Sequence, residues 1–164
     1  MPPASPPPTP AITSRDLRRA LAGFVADRHP THALSLSWND WPVPPTRLRA
    51  DLRHLHGRVD RRLYGARYHR RPSDARTAWI GVIEGMGSHP HAHLAWHVPP
   101  DRRAAFEALF PARVARSSLW TRLAPAGTYA AEPIGDAAGW SRYVLKTINC
   151  DSENLILSDE FLSN

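Results

Sequence analysis

The sequence predicts an α+β domain, an antiparallel sheet of four to five strands with helices packed on it. Three observations predict this. "TAWIGVIEG" (77–85) and "HAHLAWHV" (91–98) are extended, β-rich runs separated only by the turn-forming "MGSHP", so they pair as an antiparallel hairpin. Other segments repeat apolar residues every three or four positions, as amphipathic helices do. The two kinds of segment interleave in the order α, β, α, β, β, α, β, α, which suits helices layered on one sheet.

Taken in order, residues 1–13 form a Pro-rich leader, "MPPASPPPTPAIT", expected to be disordered or polyproline-like. Residues 14–164 are expected to make one domain. "SRDLRRALAGFVADRH" (14–29) places Leu17, Ala20, Leu21, Phe24 and Val25 on one helical face behind a Ser14 cap. "THALSLSWND" (31–40) alternates Ala33, Ser35 and Ser37 against Leu34, Leu36 and Trp38, a half-buried strand. After the connector "WPVPP", residues 46–65 carry Leu48, Leu52, Leu55, Val59 and Leu63 along one face with arginines on the other. Gly65 suits the end of that helix, while Gly57 within it is unfavourable.

The hairpin follows, its first strand stopped by Gly85 and its second by Pro99-Pro100. Residues 101–115 begin a helix capped by Asp101, which Pro111 should end or kink. A short strand is expected around 127–132 and a helix at 136–148. The tail "NLILSDEFLSN" is ambiguous, and no internal repeat is present.

The chain has 164 residues and is 42% hydrophobic, enough for one real core. No run of 18 apolar residues suggests a transmembrane helix, and the N-terminus lacks the apolar centre of a signal peptide. A cytoplasmic location is expected. The single cysteine, Cys150, excludes an internal disulfide framework and a Cys-based zinc site within one chain. A net charge of +6 and a pI near 10.4 favour polyanionic partners, nucleic acid first. Of 21 basic residues all but Lys146 are arginine. Lysine differs from arginine in offering a compact point charge.

"SHPHAHLAWHVP" (88–99) holds four histidines, three of them (His89, His91, His93) on alternate positions. Three explanations compete: a metal site on a strand, a solvated His-rich loop, or composition alone. Alternate residues of a strand share a face, so His91 and His93 point the same way and could grip one ion. Glu84 ends the preceding strand and could add an oxygen ligand. Two imidazoles and one carboxylate would leave positions open for substrate, as in a catalytic rather than a structural site. His89 belongs to the turn, and His97 shares the parity of the pair but lies farther along the strand.

Glu84, the His91-Ala92-His93 triplet, Pro99 and then "WSRYVLK" together resemble the HUH endonuclease superfamily, whose motif is His-hydrophobic-His on a central strand followed by a helix bearing Tyr-x-x-Lys. Tyr143 and Lys146 fall at i and i+3, on one helical face. "HALSLSW" looks like the first, structural motif of that family. Ala92 is a small choice for the middle position. The resemblance spans about residues 31–148 and is to the single-tyrosine replication initiators (Rep-like proteins).

It implies a ferredoxin-like core, Mg²⁺ or Mn²⁺ held by His91, His93 and Glu84, and Tyr143 attacking the scissile phosphate of single-stranded DNA. The product would be a 5′-phosphotyrosine and a free 3′-hydroxyl. Lys146 would ease formation of the phenolate or steady the phosphate. The implied role is initiation of rolling-circle replication of a plasmid or phage, the implied partners single-stranded DNA at an origin or hairpin and a host helicase.

Other readings stay open. They are a single-tyrosine transposase of the same superfamily, a catalytically silent nucleic-acid-binding module, and a His-rich metal binder with no DNA role. Tyr64 and Tyr68 rival Tyr143 as nucleophile, although they precede the histidines. Arg53, Arg58, Arg61, Arg62, Arg67, Arg70 and Arg71 could track phosphates or simply form a solvated face. Trp38, Trp41 and Tyr68 could stack on bases.

Overall fold

The computed structural model describes residues 14–40, 42–111, 118–145 and 154–158. The Pro-rich leader, Trp41, Lys146 and Cys150 lie outside the described residues. Helix α1 (Ser14–Asp27) leads into strand β1 (His32–Ser37), and α2 (Pro45–Tyr64) crosses to β2 (Ala78–Glu84). β3 (His91–His97) returns antiparallel, followed by α3 (Arg103–Glu107) and α4 (Leu119–Leu123). β4 (Thr128–Pro133), α5 (Ala137–Leu145) and β5 (Leu155–Leu157) complete the order.

The five strands form one open, antiparallel sheet in the order β4-β1-β3-β2-β5. Its first four strands have the ferredoxin-like arrangement. β1 and β2 both flank β3, so α2 must cross over the sheet to connect them. The hairpin expected from "MGSHP" is present, pairing Glu84 with His91 and Val82 with His93.

The two sheet faces differ in what covers them. On one, Leu34, Leu36, Ala92, Leu94 and Trp96 meet the inward side of α2 (Leu48, Leu52, Leu55, Val59, Leu63) and Phe106 and Trp120 of α3 and α4 in the main core. On the other, α1 and α5 pack against each other. Val25 and Trp140 sit there over Ile80, Val82 and Ala95 in smaller apolar clusters. β3 alternates accordingly: Ala92, Leu94 and Trp96 are buried, whereas His91, His93 and His97 are half-buried.

Several expectations need correction. Phe24 does not join the buried face of α1; it is 38% accessible, with the Arg28 guanidinium over its ring. The segment after Pro99 opens as a 3₁₀ turn (Pro100–Arg102), and α3 ends at Glu107, well short of 115. Asp101 does not cap a helix; it is exposed beside Arg102 at 3.3 Å. Trp38 is no base platform, because it is 2% exposed and its indole N–H donates to Asp51 at 3.0 Å. The ambiguous tail supplies β5, paired with β2. Among the described residues no helix is long and apolar enough to cross a membrane.

Candidate metal centre

β3 is the middle strand of the sheet, so a side chain on it has a neighbouring strand on either side. On the face covered by α1 and α5, His91 stands between Ser37 of β1 and Glu84 of β2, and His93 stands between Ser35 and Val82. The strand period alone fixes this placement: odd-numbered positions of β3 share the face with Glu84 across an antiparallel, directly opposed pair.

Glu84, His91 and His93 each offer one ligand atom, and these atoms all lie within 4.8 Å of one another. Glu84 Oε2 lies 3.1 Å from His91 Nε2 and 3.8 Å from His93 Nε2. The two imidazoles meet edge to face, 5.2 Å apart and 86° inclined. The side chains are 37% exposed for His91 and 22% for both His93 and Glu84, so the cluster is open on one side. The other ring nitrogens are held as well. His91 Nδ1 lies 3.0 Å from the carbonyl oxygen of His89 and His93 Nδ1 2.9 Å from the Ser35 hydroxyl.

These partners decide what the cluster is suited to. A carbonyl only accepts, so His91 Nδ1 donates to it and Nε2 is left facing a carboxylate. His91 Nε2 and Glu84 Oε2 lie 3.1 Å apart. Ser35 can accept from His93 Nδ1 in the same way, presenting its Nε2 to the same point. Outer hydrogen bonds that fix the tautomer are what metal-bound histidines show. Glu84, His91 and His93 thus form a cluster able to bind a metal ion. Two nitrogens and one oxygen make a mixed donor set, and the open side leaves positions for further ligands.

The turn that builds the cluster depends on Gly85. Its φ is +66°, and a Cβ there would sit 2.4 Å from the His89 carbonyl oxygen, the acceptor that holds the His91 ring. The other two histidines of the stretch do not join. His89 lies in the exposed turn and contributes its carbonyl. His97 lies about 13 Å along the strand from His93, and its Nδ1 meets the carbonyl of His29 at 2.9 Å.

Beside the cluster runs a cleft of about 370 Å³, lined by Ser35, His93, Glu132, Asp136 and Trp140 among others. α5 forms one wall, begun by Asp136, whose Oδ1 accepts from the Gly139 N–H at 3.0 Å. Tyr143 belongs to α5, three positions after Trp140; Lys146 lies outside the described residues.

The rival tyrosines sit elsewhere. Tyr64 is on α2, on the opposite side of the sheet, with Arg71 and Arg102 over its ring. Burial, chiefly, and then the Asp60 charge raise its phenol above the ordinary value, against the lowering effect of Arg102 and Arg71. A nucleophile needs the opposite shift. Tyr68 lies on the same side, its ring under Arg76. Tyr129, also raised by burial, donates its hydroxyl proton to the Pro111 carbonyl.

Of the predicted phosphate-tracking arginines, Arg53, Arg58, Arg61 and Arg62 converge on one groove outside α2, joined by Arg122 of α4. Arg122 gave no signal in the sequence, since α4 was not expected. Arg67, Arg70 and Arg71 are exposed on the segment after α2 and do not line that groove. Comparison with family models, with curated proteins and with solved structures gave no match to the chain.

Proposed function

We propose that the protein is a divalent-metal-dependent nuclease and strand transferase acting on single-stranded DNA, with Tyr143 as nucleophile. The observation that carries this reading is the Glu84–His91–His93 cluster, solvent-open at the turn end of the central strand. Its neighbours add support: a nucleotide-sized cleft beside His93 and a helix, α5, that lines it through Trp140 and carries Tyr143. The HUH-like motif order accounts for each of these parts.

Bound at the cluster, Mg²⁺ or Mn²⁺ would withdraw charge from the phosphoryl oxygens of the scissile phosphate. Glu84, His91 and His93 would hold that ion, and the Ser35 and His89 contacts keep the imidazoles from turning away. Trp140 and the small side chains of Ala33 and Ala130 shape the cleft for the adjoining nucleotide. The Tyr143 oxygen forms the new bond to phosphorus. The bond from phosphorus to the 3′-oxygen breaks, and that oxygen leaves as a hydroxyl, taking up from solvent one proton in place of the one that the Tyr143 phenol releases to solvent. Lys146 favours the phenolate. Retained as a phosphodiester of Tyr143, the 5′ end can be rejoined by an incoming 3′-hydroxyl. Replication initiation is the setting that the motif resemblance suggests for such a reaction.

Covalent trapping tests the reading. The chain is incubated with Mn²⁺ and pools of single-stranded DNA, including DNA flanking its own gene, and run on denaturing gels. The expected result is a protein–DNA adduct that Tyr143→Phe abolishes and that Tyr64→Phe and Tyr68→Phe retain. An adduct surviving in Tyr143→Phe would move the nucleophile. Tight DNA binding without any adduct would instead favour a silent nucleic-acid-binding module.

A further inference from the structure

We infer that Glu132 selects the base of the nucleotide next to the scissile phosphate. Its carboxylate accepts hydrogen bonds from an exocyclic amino group, and so favours cytosine, adenine or guanine over thymine. The inference deepens the function proposed above and rests on it. Its setting is the cleft beside the metal cluster, which shares His93 with that cluster and is lined by Glu132 from β4.

Strand register fixes where Glu132 stands. β4 pairs with β1, with Glu132 opposite Ala33 and Ala130 opposite Ser35. Ser35 in turn opposes His93 on β3. All these positions share one sheet face, because side chains alternate along a strand. Glu132 is therefore two strands from His93, about 10 Å across the sheet, and two residues, about 7 Å, along it. The side chains between them, those of Ala33, Ser35 and Ala130, are small and line the cleft. Trp140 of α5 lines it too and offers an aromatic ring. A nucleotide whose phosphate sits at the cluster can lay its base over Ala33 and Ala130 and reach Glu132 with the base edge.

Charge decides which part of the nucleotide goes there. Glu132 is exposed, and the described lining of the cleft holds no arginine or lysine. A carboxylate repels a phosphate, yet it is a strong acceptor for N–H donors. The Glu132 end of the cleft therefore suits a base rather than a second phosphate. Cytosine, adenine and guanine carry an amino group, whereas thymine shows a carbonyl oxygen in its place. Asp136, the other carboxylate of the lining, is turned to its own helix, where its Oδ1 accepts from the Gly139 N–H at 3.0 Å.

The test reads binding, not cleavage. Fluorescence anisotropy follows the whole chain, loaded with Mn²⁺, as it binds labelled single strands of oligo-dC, oligo-dA and oligo-dT of equal length. The wild type should bind the first two about tenfold more tightly than oligo-dT. Glu132→Ala should remove that preference. Glu132→Gln keeps the size of the side chain and can donate to the thymine carbonyl, so it should raise affinity for oligo-dT. Mn²⁺ affinity and the circular dichroism spectrum should be unchanged in both variants, since the side chain is exposed.

The inference is overturned if the wild type binds no single strand, or if it shows no preference against oligo-dT. It is equally overturned if the preference survives in Glu132→Ala. A gain in affinity for every strand by the same factor would also overturn it, because Glu132 would then act only as a repulsive charge. Adducts play no part in this readout. A preference lost in Glu132→Ala, with no adduct from any DNA pool, would remove the nuclease reading and keep the base contact. Adduct formation without the preference would do the reverse.

Discussion

Two histidine–carboxylate clusters lie on opposite sides of the same sheet, and they have opposite characters. On the α2 side, Asp60 is fully buried. It accepts from Thr77 Oγ1 at 2.6 Å and Arg76 Nε at 2.9 Å, while His56 Nε2 stands 3.6 Å away and donates to the Thr77 carbonyl at 3.1 Å. Rings of Trp79 and Trp96 close over His56. Each strong group there has a protein partner, and the cluster ties α2 to the start of β2. On the other side, Glu84, His91 and His93 are partly exposed, and their ligand atoms lie within 4.8 Å of one another. Closure marks a polar group as part of the architecture; convergence with an open side marks a cluster able to take a metal ion.

The largest expected effect lies on the closed side. Asp60→Ala leaves Arg76 and His56 without their buried partner and should cost about 3–5 kcal/mol of stability, measured by urea unfolding, with Mn²⁺ affinity of the folded protein unchanged. Glu84→Gln reverses the pattern. It should lower Mn²⁺ affinity by about 100-fold or more, beyond the usual loss for an outer-shell partner, while stability stays within about 1 kcal/mol of wild type. Comparable stability losses in the two variants would erase the distinction between the clusters.

Smaller changes sharpen the contrast. Gly85→Ala would force the turn away from the His89 carbonyl, whereas an added Cβ on Gly87 meets nothing within 4 Å. The first should weaken Mn²⁺ binding about tenfold or more through loss of the His91 positioning contact, and the second should leave it unaltered in isothermal titration. Ser35→Ala removes the hydroxyl behind His93 and should weaken the same binding by about tenfold, at the low end of outer-shell effects.

How far these features were legible in the sequence follows from the range of the interactions that make them. The Glu84–His91–His93 cluster was legible because it rests on strand parity and a short hairpin, both local: His91 and His93 differ by two, and Glu84 is directly opposed across the turn. The five apolar positions of α2 were legible for the same reason. The Asp60 cluster was not, because its residues read as part of a polar helix face. Their burial depends on Arg76 and Thr77, 16 and 17 residues away. β5 is three residues long and exists through its pairing with β2, which no local pattern announces. α4 is a five-residue helix whose one local signal was Ser118, a capping residue that accepts from the Thr121 N–H. Phe24 kept helical spacing yet points outward, since Val25 and Ala22 already fill the contact with the sheet.

The most direct measurement is Mn²⁺ titration of the whole chain followed by electron paramagnetic resonance, with the His91→Ala/His93→Ala double variant alongside. The account predicts a single tight site in the wild type that the double variant loses while its circular dichroism spectrum is unchanged. Equal Mn²⁺ uptake by a folded double variant would contradict it, because the two imidazoles and Glu84 would then not be the residues that hold the ion.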